Sequence, residues 1–475
     1  MNSIKKNFAY NFIYQILIML LPLITVPYLS RILGAEGIGK YSYTYSIAYY
    51  FTIFAMLGLN NYGNRSVARI KYDKEELSKT FWEIYGMQII TSIIVCICYV
   101  IYMEISNIDR IILITQGAIV ISSIFNINWF FFGIEEFKLT VSRNAIIKVL
   151  TVIIIFLFVK TKNDLNKYIL IMAISILLSQ IVLWPFLFKR IYYVKPKMRN
   201  ICKHFSQNLL LFIPVLAVSI YKIMDKIMIG NMSSMVQVGL YENSEKIITL
   251  PMSLITALGT VMLPRMSNLI AMGKKKESYY LIEKSMLFIM VMGSAFMFGI
   301  AGISNVIAPV FFGQEFINCG ILITLLSITI IFTCWANVIR TQYLIPNNED
   351  KIYVTTVSLG AIVNFIINYL LIPNFGSIGA AIGTIIAEAT VCIGQTFFVR
   401  KKINIKQYLK NGFPFILIGL VMYLAVKFLG LGHAFTINIL LLQIIVGTII
   451  YIVLSLIYSR LTKNMLIKEI IKSIL

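Results

Sequence analysis

The stretch that decides the fold lies at residues 221–264. Residues 221–230 read YKIMDKIMIG, and residues 239–246 read GLYENSEK before an apolar run that ends at Pro264. A charge inside a membrane helix costs roughly 3 kcal/mol by insertion scales and usually marks a transport pathway or a binding cavity. The sequence therefore predicts a functional site at the six ionisable side chains of these segments, which are Lys222, Asp225, Lys226, Glu242, Glu245 and Lys246.

Helical spacing groups these charges into two sets. Each set occupies positions i, i+3 and i+4 of a helix, so its members share one face, and the second set repeats the spacing with the signs changed. Each set can partly neutralise itself. The alternative is that Asp225, Lys226 and Glu242 flank a tight loop and extend into the lipid headgroup layer. That alternative explains Lys222 and Lys246 less well, because they lie a turn or more deeper.

Composition places the chain in a membrane. Of its 475 residues, 59% are hydrophobic and 13% are charged, whereas soluble domains average about 25% charged residues. We expect an all-α polytopic protein with about fourteen transmembrane helices, because a helix needs ~20 apolar residues to cross a bilayer. The fourteen apolar runs are 11–33, 41–59, 81–103, 111–132, 145–159, 168–188, 208–229, 241–263, 286–303, 320–339, 352–372, 378–399, 413–428 and 436–458. The first run leads into Arg31 rather than a cleavage motif, so we expect it to remain as a helix.

The net charge of +22 would suggest nucleic-acid binding in a soluble protein, but here the basic residues fall on alternate connections. If the N-terminus is cytoplasmic, the inner connections carry most Lys and Arg residues, notably at 65–79, 189–203, 265–284 and 400–410. This pattern satisfies the positive-inside rule. It predicts a bacterial cytoplasmic (inner) membrane protein with both termini in the cytoplasm, contact with anionic lipids and no nucleic-acid partner.

Enzymatic and metal-dependent classes find little support in the sequence. The six cysteines and two histidines are scattered without disulfide or metal spacing. Residues 34–41, GAEGIGKY, nearly match a phosphate-binding P-loop, but Tyr41 replaces the Ser or Thr that binds magnesium and no strand precedes it. The longest connections have about twenty residues, too few for a soluble domain. We therefore expect no catalytic residue, no metal and no cofactor, and a function within the helix bundle.

Two pairs of similar short segments indicate an internal repeat. The segments 31–41 and 226–241 both run from a basic residue through a glycine to a second glycine and a tyrosine. The segments 135–138 and 348–351 share an acidic pair followed by a lysine. Parallel repeats of this kind place the transport site at their interface. The predicted organisation is an N-terminal lobe at 1–204, a C-terminal lobe at 205–411, and two additional helices with a tail at 412–475.

Further polar side chains lie within the runs. Glu388 is near the middle of its run, where a glutamate would be protonated or paired. It either binds a coupling ion or joins helices by a hydrogen bond. Asn364 and Asn368 lie one turn apart and either contact sugars or join helices. Arg31 ends its run, so it either extends to the membrane surface or reaches inward to a diphosphate.

With these residues in view, the chain resembles the bacterial oligosaccharide flippases, for O-antigen or capsule repeat units, of the multidrug/oligosaccharidyl-lipid/polysaccharide (MOP) transporter superfamily. The resemblance covers essentially the whole chain. The motifs that carry it are residues 27–34 (PYLSRILG) with Gly37, Gly39 and Tyr41, 133–138 (GIEEFK), 225–230 (DKIMIG), 239–241 (GLY), Pro264 with Arg265, Asn368 with 372–373, and 379–381 with Glu388.

The resemblance implies two six-helix lobes around a central cavity plus two further helices. It implies that the protein moves an undecaprenyl-diphosphate-linked oligosaccharide from the inner to the outer leaflet by alternating access, with a proton or sodium gradient as the driving force. Other polysaccharide assembly proteins would be further partners. Positive cavity residues would bind the diphosphate, and here Arg31, Lys222, Lys226 and Lys246 match in character. The predicted coupling-ion candidates are Asp225, Glu242, Glu245 and Glu388.

Three other functions stay open at this point. A multidrug or cation antiporter of the same superfamily would share the fold. A membrane-embedded polysaccharide polymerase or ligase would need a long outer loop with catalytic groups, and every outer connection here is short. A structural scaffold would not require charges within its membrane helices.

Overall fold

The computed structural model describes residues 2–432, 434–462 and 464–474, and within these ranges the regular structure is helical, without strands. Side chains are not described for residues 1–20 or for a few later positions, among them Tyr221 and Lys222. Ten described helical stretches are long and apolar enough to cross a membrane, and there are eleven if Met198–Leu209 and Leu211–Ser219, which are bent by 46°, are taken as one span. The prediction of an all-α multi-pass membrane protein is confirmed, while the count of fourteen spans stays a prediction.

The chain divides into two compact units, Met1–Ser219 and Ile220–Leu475. Unit 1 contains nine helices in its described part: α1 (Asn2–Met56), α2 (Leu59–Ile70), α3 (Lys74–Ile105), α4 (Arg110–Phe125), α5 (Asn128–Gly133), α6 (Phe137–Phe158), α7 (Leu165–Ile181), α8 (Trp184–Leu187) and α9 (Met198–Ser219).

The first two apolar runs form α1, which is interrupted at Gly34. This residue has φ 68° and ψ 177°, a conformation that glycine adopts without the steric penalty of a Cβ atom. Pro22 and Pro27 lie within the helix. The stretch that resembles a P-loop therefore consists of this kink and the helix that follows it.

The middle of helix α1 packs against the C-terminal end of α6. The Tyr28 hydroxyl donates to the Val159 carbonyl at 2.7 Å, and its ring lies 4.3 Å from that of Phe156. Elsewhere in unit 1, Trp129 of α5 stacks on Phe81 of α3 with ring centroids 5.3 Å apart. These contacts fix α1, α3, α5 and α6 within one unit.

Unit 2 contains ten helices in its described part: α10 (Asp225–Met232), α11 (Met235–Ala271), α12 (Lys275–Ile307), α13 (Cys319–Ser327), α14 (Thr329–Ile339), α15 (Asp350–Phe375), α16 (Ser377–Val399), α17 (Ile405–Gly430), α18 (Ile437–Leu461) and α19 (Met465–Ile474). A π-helical turn, Ile220–Met224, leads into α10. Helices α17 and α18 both pack against α12, so they belong to the same unit as α10–α16. The finer division into two lobes and two additional helices stays a prediction.

Candidate functional site

Asp225, the first residue of α10, is the centre of a buried polar cluster in unit 2. Its side chain is 1% exposed. The Tyr241 hydroxyl of α11 donates to its Oδ2 atom at 2.7 Å, and Thr384 of α16 lies 2.7 Å from the same oxygen. The Asn368 amide of α15 donates to Oδ1 at 2.6 Å. Four helices therefore meet at one carboxylate.

Two asparagines extend the cluster along α15. Asn364 and Asn368 are both fully buried, and the Asn368 amide also lies 3.2 Å from the Asn364 Oδ1 atom. The Asn364 Nδ2 and Asn368 Oδ1 atoms have no hydrogen-bond partner among the described residues. A buried polar atom without a partner costs about 1–3 kcal/mol. The cluster thus has spare hydrogen-bonding capacity next to a carboxylate.

The cluster is rich in oxygen atoms. Asp225 Oδ2, the Tyr241 hydroxyl and the Thr384 hydroxyl lie within 2.8 Å of one another, and the amide oxygens of Asn364 and Asn368 lie nearby. Carboxylate and carbonyl oxygens are the ligands that hard cations prefer. A buried carboxylate can also hold a proton, since the neutral acid forms hydrogen bonds without a net charge. Both a small cation and a proton therefore suit this arrangement.

Close packing of α15 against α16 brings these residues together. A Cβ atom added to Gly383 would lie 2.0 Å from Asn368 Oδ1, and one added to Gly379 would lie 2.7 Å from the backbone of Leu371. The contact at Gly379 is with backbone, so only glycine allows the approach there, while at Gly383 a larger residue would displace the end of the Asn368 side chain. The two glycines thus position Asn368 against Asp225.

Four charged residues of the segment 226–246 form an ion-pair cluster beside Asp225. Lys226 Nζ lies 2.6 Å from Glu242 Oε2 and 2.9 Å from Glu245 Oε2. Lys246 Nζ lies 3.0 Å from Glu242 Oε1. The side chains of these residues are between 14% and 35% exposed, so they lie at the edge of the protein interior. The two charge sets of the sequence therefore contact each other across α10 and α11.

The net charge of the described side chains in this region is slightly negative. Lys226 and Lys246 contribute two positive charges, and Asp225, Glu242 and Glu245 contribute three negative charges when ionised. The Lys226 ammonium is already held by two carboxylates. Among the residues with described side chains, this part of unit 2 is therefore better suited to a cation than to a diphosphate.

The remaining predicted site residues are placed as follows. The Lys222 side chain lies outside the described residues. Arg31 belongs to unit 1, where it is exposed on α1. Glu388 is partly buried on α16, one turn beyond Thr384. Asp225, Asn364 and Asn368 thus meet in one cluster and Lys226, Glu242, Glu245 and Lys246 in another, while their roles stay predictions.

Sequence reasoning missed three residues that the structure places in polar sites. Tyr241 was used only in the internal repeat and in a family motif, and Thr384 was not considered, although Thr384 lies four residues before Glu388 on the same helical face. Lys148 is the fourth residue of the apolar run 145–159 and lines a hollow with residues of α1 and α7, and a charge within an apolar run is a candidate functional group. The spacing of polar residues inside the runs was the signal that would have found them.

A family model described as polysaccharide biosynthesis protein matches residues 4–270. The chain belongs to this family. It is 24% identical over 404 residues to a protein of Escherichia coli (strain K12) named "Putative O-antigen transporter", which covers 84% of this chain and 97% of the relative. It is 22% identical over 405 residues to "Capsular polysaccharide biosynthesis protein CapF" of Staphylococcus aureus, with 83% of this chain and 99% of the relative covered.

Among solved structures, the lipid II flippase MurJ in an inward closed conformation matches with a TM-score of 0.67 and 18% identity, over 92% of this chain and 98% of that chain. At this identity the match shows a shared fold. The resemblance predicted from the motifs is therefore confirmed at the level of family and fold.

Proposed function

We propose that the protein is a flippase that moves undecaprenyl-diphosphate-linked oligosaccharide repeat units from the inner to the outer leaflet of the bacterial cytoplasmic membrane. The family, the relatives named for O-antigen transport and capsule synthesis, and the MurJ-like fold support this substrate class. The basic inner connections support cytoplasmic termini. Other assembly proteins of the same polysaccharide pathway are the expected partners.

The observation that carries the mechanism is the buried Asp225 cluster. We infer that a proton or a sodium ion binds there and drives alternating access. A carboxylate 1% exposed among membrane helices is costly when empty and ionised, and a bound cation removes much of that cost. Because the side chains come from α10, α11, α15 and α16, cation binding would draw these helices together. Loss of the cation would loosen them, which gives the gradient a way to act on the conformation.

The test uses a bacterial strain that lacks the chromosomal gene and carries either the wild-type or a variant copy. The variant Asp225→Asn keeps the shape of the side chain but removes its charge. We expect it to reach the membrane in normal amounts while the surface polysaccharide is lost and lipid-linked repeat units accumulate at the inner leaflet. Asp350→Asn is the matched control, because Asp350 is exposed in the first turn of α15.

Normal surface polysaccharide in the Asp225→Asn strain would contradict the coupling role. Normal polysaccharide in the strain that lacks the gene, together with binding of small organic cations by the purified protein, would instead favour a cation antiporter. Accumulation of single repeat units at the outer leaflet, without polymer, in the strain that lacks the gene would favour a polymerase.

A further inference from the structure

Helix α16 carries a stripe of polar side chains that begins at the Asp225 cluster. Thr384, which contacts Asp225, is followed by Glu388 and Gln395 at positions i+4 and i+11, and these positions share one face of a helix. Val391 lies on the same face at position i+7. Val391 is 8% exposed and Gln395 is 1% exposed, so this face is turned toward neighbouring helices rather than toward lipid.

Gln395 lies between the contacts of α16 with two other helices. The preceding residue, Gly394, approaches α15, because a Cβ atom there would lie 3.1 Å from the Thr356 side chain. The following residue, Thr396, accepts a 2.9 Å hydrogen bond from the Trp335 indole of α14. The Gln395 Oε1 atom is buried and has no hydrogen-bond partner among the described residues. Its acceptor capacity is therefore available to a small polar ligand.

Gln342 provides a further unpartnered amide near the end of α16. It lies in the π-helical turn Arg340–Leu344 after α14, is fully buried, and neither its Oε1 nor its Nε2 atom has a partner among the described residues. The adjacent Tyr343 ring lies 6.0 Å from the Lys402 ammonium, so the turn is level with the end of α16. Buried amides without a protein partner usually bond ordered water. We therefore expect water beside Gln342 and Gln395.

The Asp225 cluster lies nearer to one end of α16 than to the other. The helix runs from Ser377 to Val399, so Thr384 is about 10 Å from its first residue and about 22 Å from its last. The basic connection after Val399 is the predicted cytoplasmic side. A cation that drives transport from outside has to leave the Asp225 site toward the cytoplasm. It needs a route over the longer distance, along the polar stripe.

Glu388 is the one group on this route that can accept and release a proton with a change of charge. It is the only acidic or basic residue in the membrane parts of α14, α15 and α16, which are residues 329–339, 352–375 and 377–399. Its carboxylate acts electrostatically on the buried thiols of Cys334 on α14 and Cys392 on α16, which places it near the contact between these helices. Carboxylates within membrane helices form proton relays in pumps and transporters.

We propose that the Asp225 site releases a proton to the cytoplasm through Glu388, along water held by the polar stripe of α16. The proposal rests on the proposed function in taking Asp225 as the coupling site, and it selects the proton rather than sodium. The Asp225 carboxylic acid passes its proton through water to the ionised Glu388. Protonated Glu388 passes it through water beside Gln395 to the cytoplasm, and both carboxylates are then ionised again.

The first test measures proton uptake into proteoliposomes of the purified full-length protein, with an acidic outer solution and a pH-sensitive dye inside. Uptake is followed with and without the lipid-linked oligosaccharide in the membrane. Glu388→Gln should slow uptake about 100-fold, the lower end of what a positioned proton-transfer group contributes, while Glu388→Asp should restore much of the rate because it keeps a carboxylate. Glu277→Gln is the matched control, since Glu277 is exposed in the first turn of α12.

Equal uptake by the wild type and Glu388→Gln would overturn the relay. Flipping that a sodium gradient drives without any proton uptake by the wild type would overturn the choice of the proton. A purely structural role of Glu388 predicts a lower melting temperature for Glu388→Gln and no rescue by Glu388→Asp, so the melting curve of each variant is measured beside its rate.

The second test measures water access directly, without transport. In membrane vesicles, Gln395→Cys should react with a small water-soluble methanethiosulfonate added at the cytoplasmic side, measured as the increase over the wild-type protein, because a thiol needs water to ionise and react. Ile393→Cys is the control at the same depth, since Ile393 is 64% exposed on α16, where it faces lipid. Failure of Gln395→Cys to react, or equal reaction of both variants, would overturn the water route.

These results are distinguishable from the genetic test of flipping. Proton uptake that requires Glu388, in a protein whose deletion leaves surface polysaccharide intact, would uphold the route and reject the flippase. Flipping and proton uptake that both continue at the wild-type rate in folded Glu388→Gln protein would reject the route alone.

Discussion

Gly383 allows a sharp test of the Asp225 cluster, because it controls the position of Asn368. In Gly383→Ala the new Cβ atom would lie 2.0 Å from Asn368 Oδ1, whereas ordinary contacts begin at 3.4 Å, so the amide must move by about 1.4 Å. The moving atom is the end of a side chain and can rotate away, which limits the effect on folding. Rotation breaks the 2.6 Å hydrogen bond from Asn368 to Asp225.

A hydrogen bond to a charged group contributes about 1.5–3 kcal/mol. Because this hydrogen bond stabilises the ionised carboxylate without a bound cation, its loss should lower the half-saturating concentration of the driving cation by about 10- to 100-fold, measured as lipid flipping in proteoliposomes at increasing cation concentration. Gly293→Ala is the matched control in a membrane helix, since its Cβ atom would meet Ile331 at an ordinary 3.6 Å. An unchanged cation dependence in folded Gly383→Ala protein would refute the view that Asn368 controls the affinity of Asp225 for the cation.

Three further outcomes are expected. Lys226→Met should lower the free energy of unfolding by about 3 kcal/mol, because it leaves Glu242 and Glu245 without their shared cation. In chemical denaturation, the double variant Lys226→Met/Glu242→Gln should be less destabilised than Lys226→Met alone. Equal stability of Lys226→Met and the wild type would contradict this expectation. Gly63→Ala should lower stability by about 1–3 kcal/mol, because its Cβ atom would lie 2.6 Å from the Trp129 ring; an unchanged melting temperature would show that the ring can yield. Lys284 and Tyr280 donate hydrogen bonds to Glu469 and hold its pKa below the usual value, so the packing of α19 on α12 should weaken as pH falls through that lowered pKa. Hydrogen exchange of α19 should therefore accelerate in acid for the wild type, whereas Glu469→Gln should exchange fast already at neutral pH. Exchange of wild-type α19 that does not depend on pH would contradict the role of Glu469.

The apolar runs were enough to predict the fold class, because membrane helices must satisfy their backbone hydrogen bonds internally and so leave a length signal in the sequence. The kink at Gly34 and the π-helical turn before Asp225 carry no comparable signal. Their positions depend on packing within each unit rather than on hydrophobicity.

The candidate site was partly predictable for a similar reason. Charges among apolar residues are conspicuous, so Asp225, Lys226, Glu242, Glu245 and Lys246 could be selected from one stretch. Two of the three partners of Asp225, Asn368 and Thr384, come from helices more than a hundred residues away, and the position of Asn368 depends on the close approach at Gly383. Lys148 was overlooked because no acidic residue nearby in the sequence indicated a pair.

The most direct measurement of the central claim is flipping of an undecaprenyl-diphosphate-linked oligosaccharide by the purified protein in proteoliposomes, with and without an imposed proton or sodium gradient. We expect wild-type protein to flip the lipid faster under one of the two gradients. Asp225→Asn should lose this acceleration, and Asp350→Asn should keep it. Flipping by the wild type that responds to neither gradient, or an acceleration that survives in Asp225→Asn, would contradict this expectation.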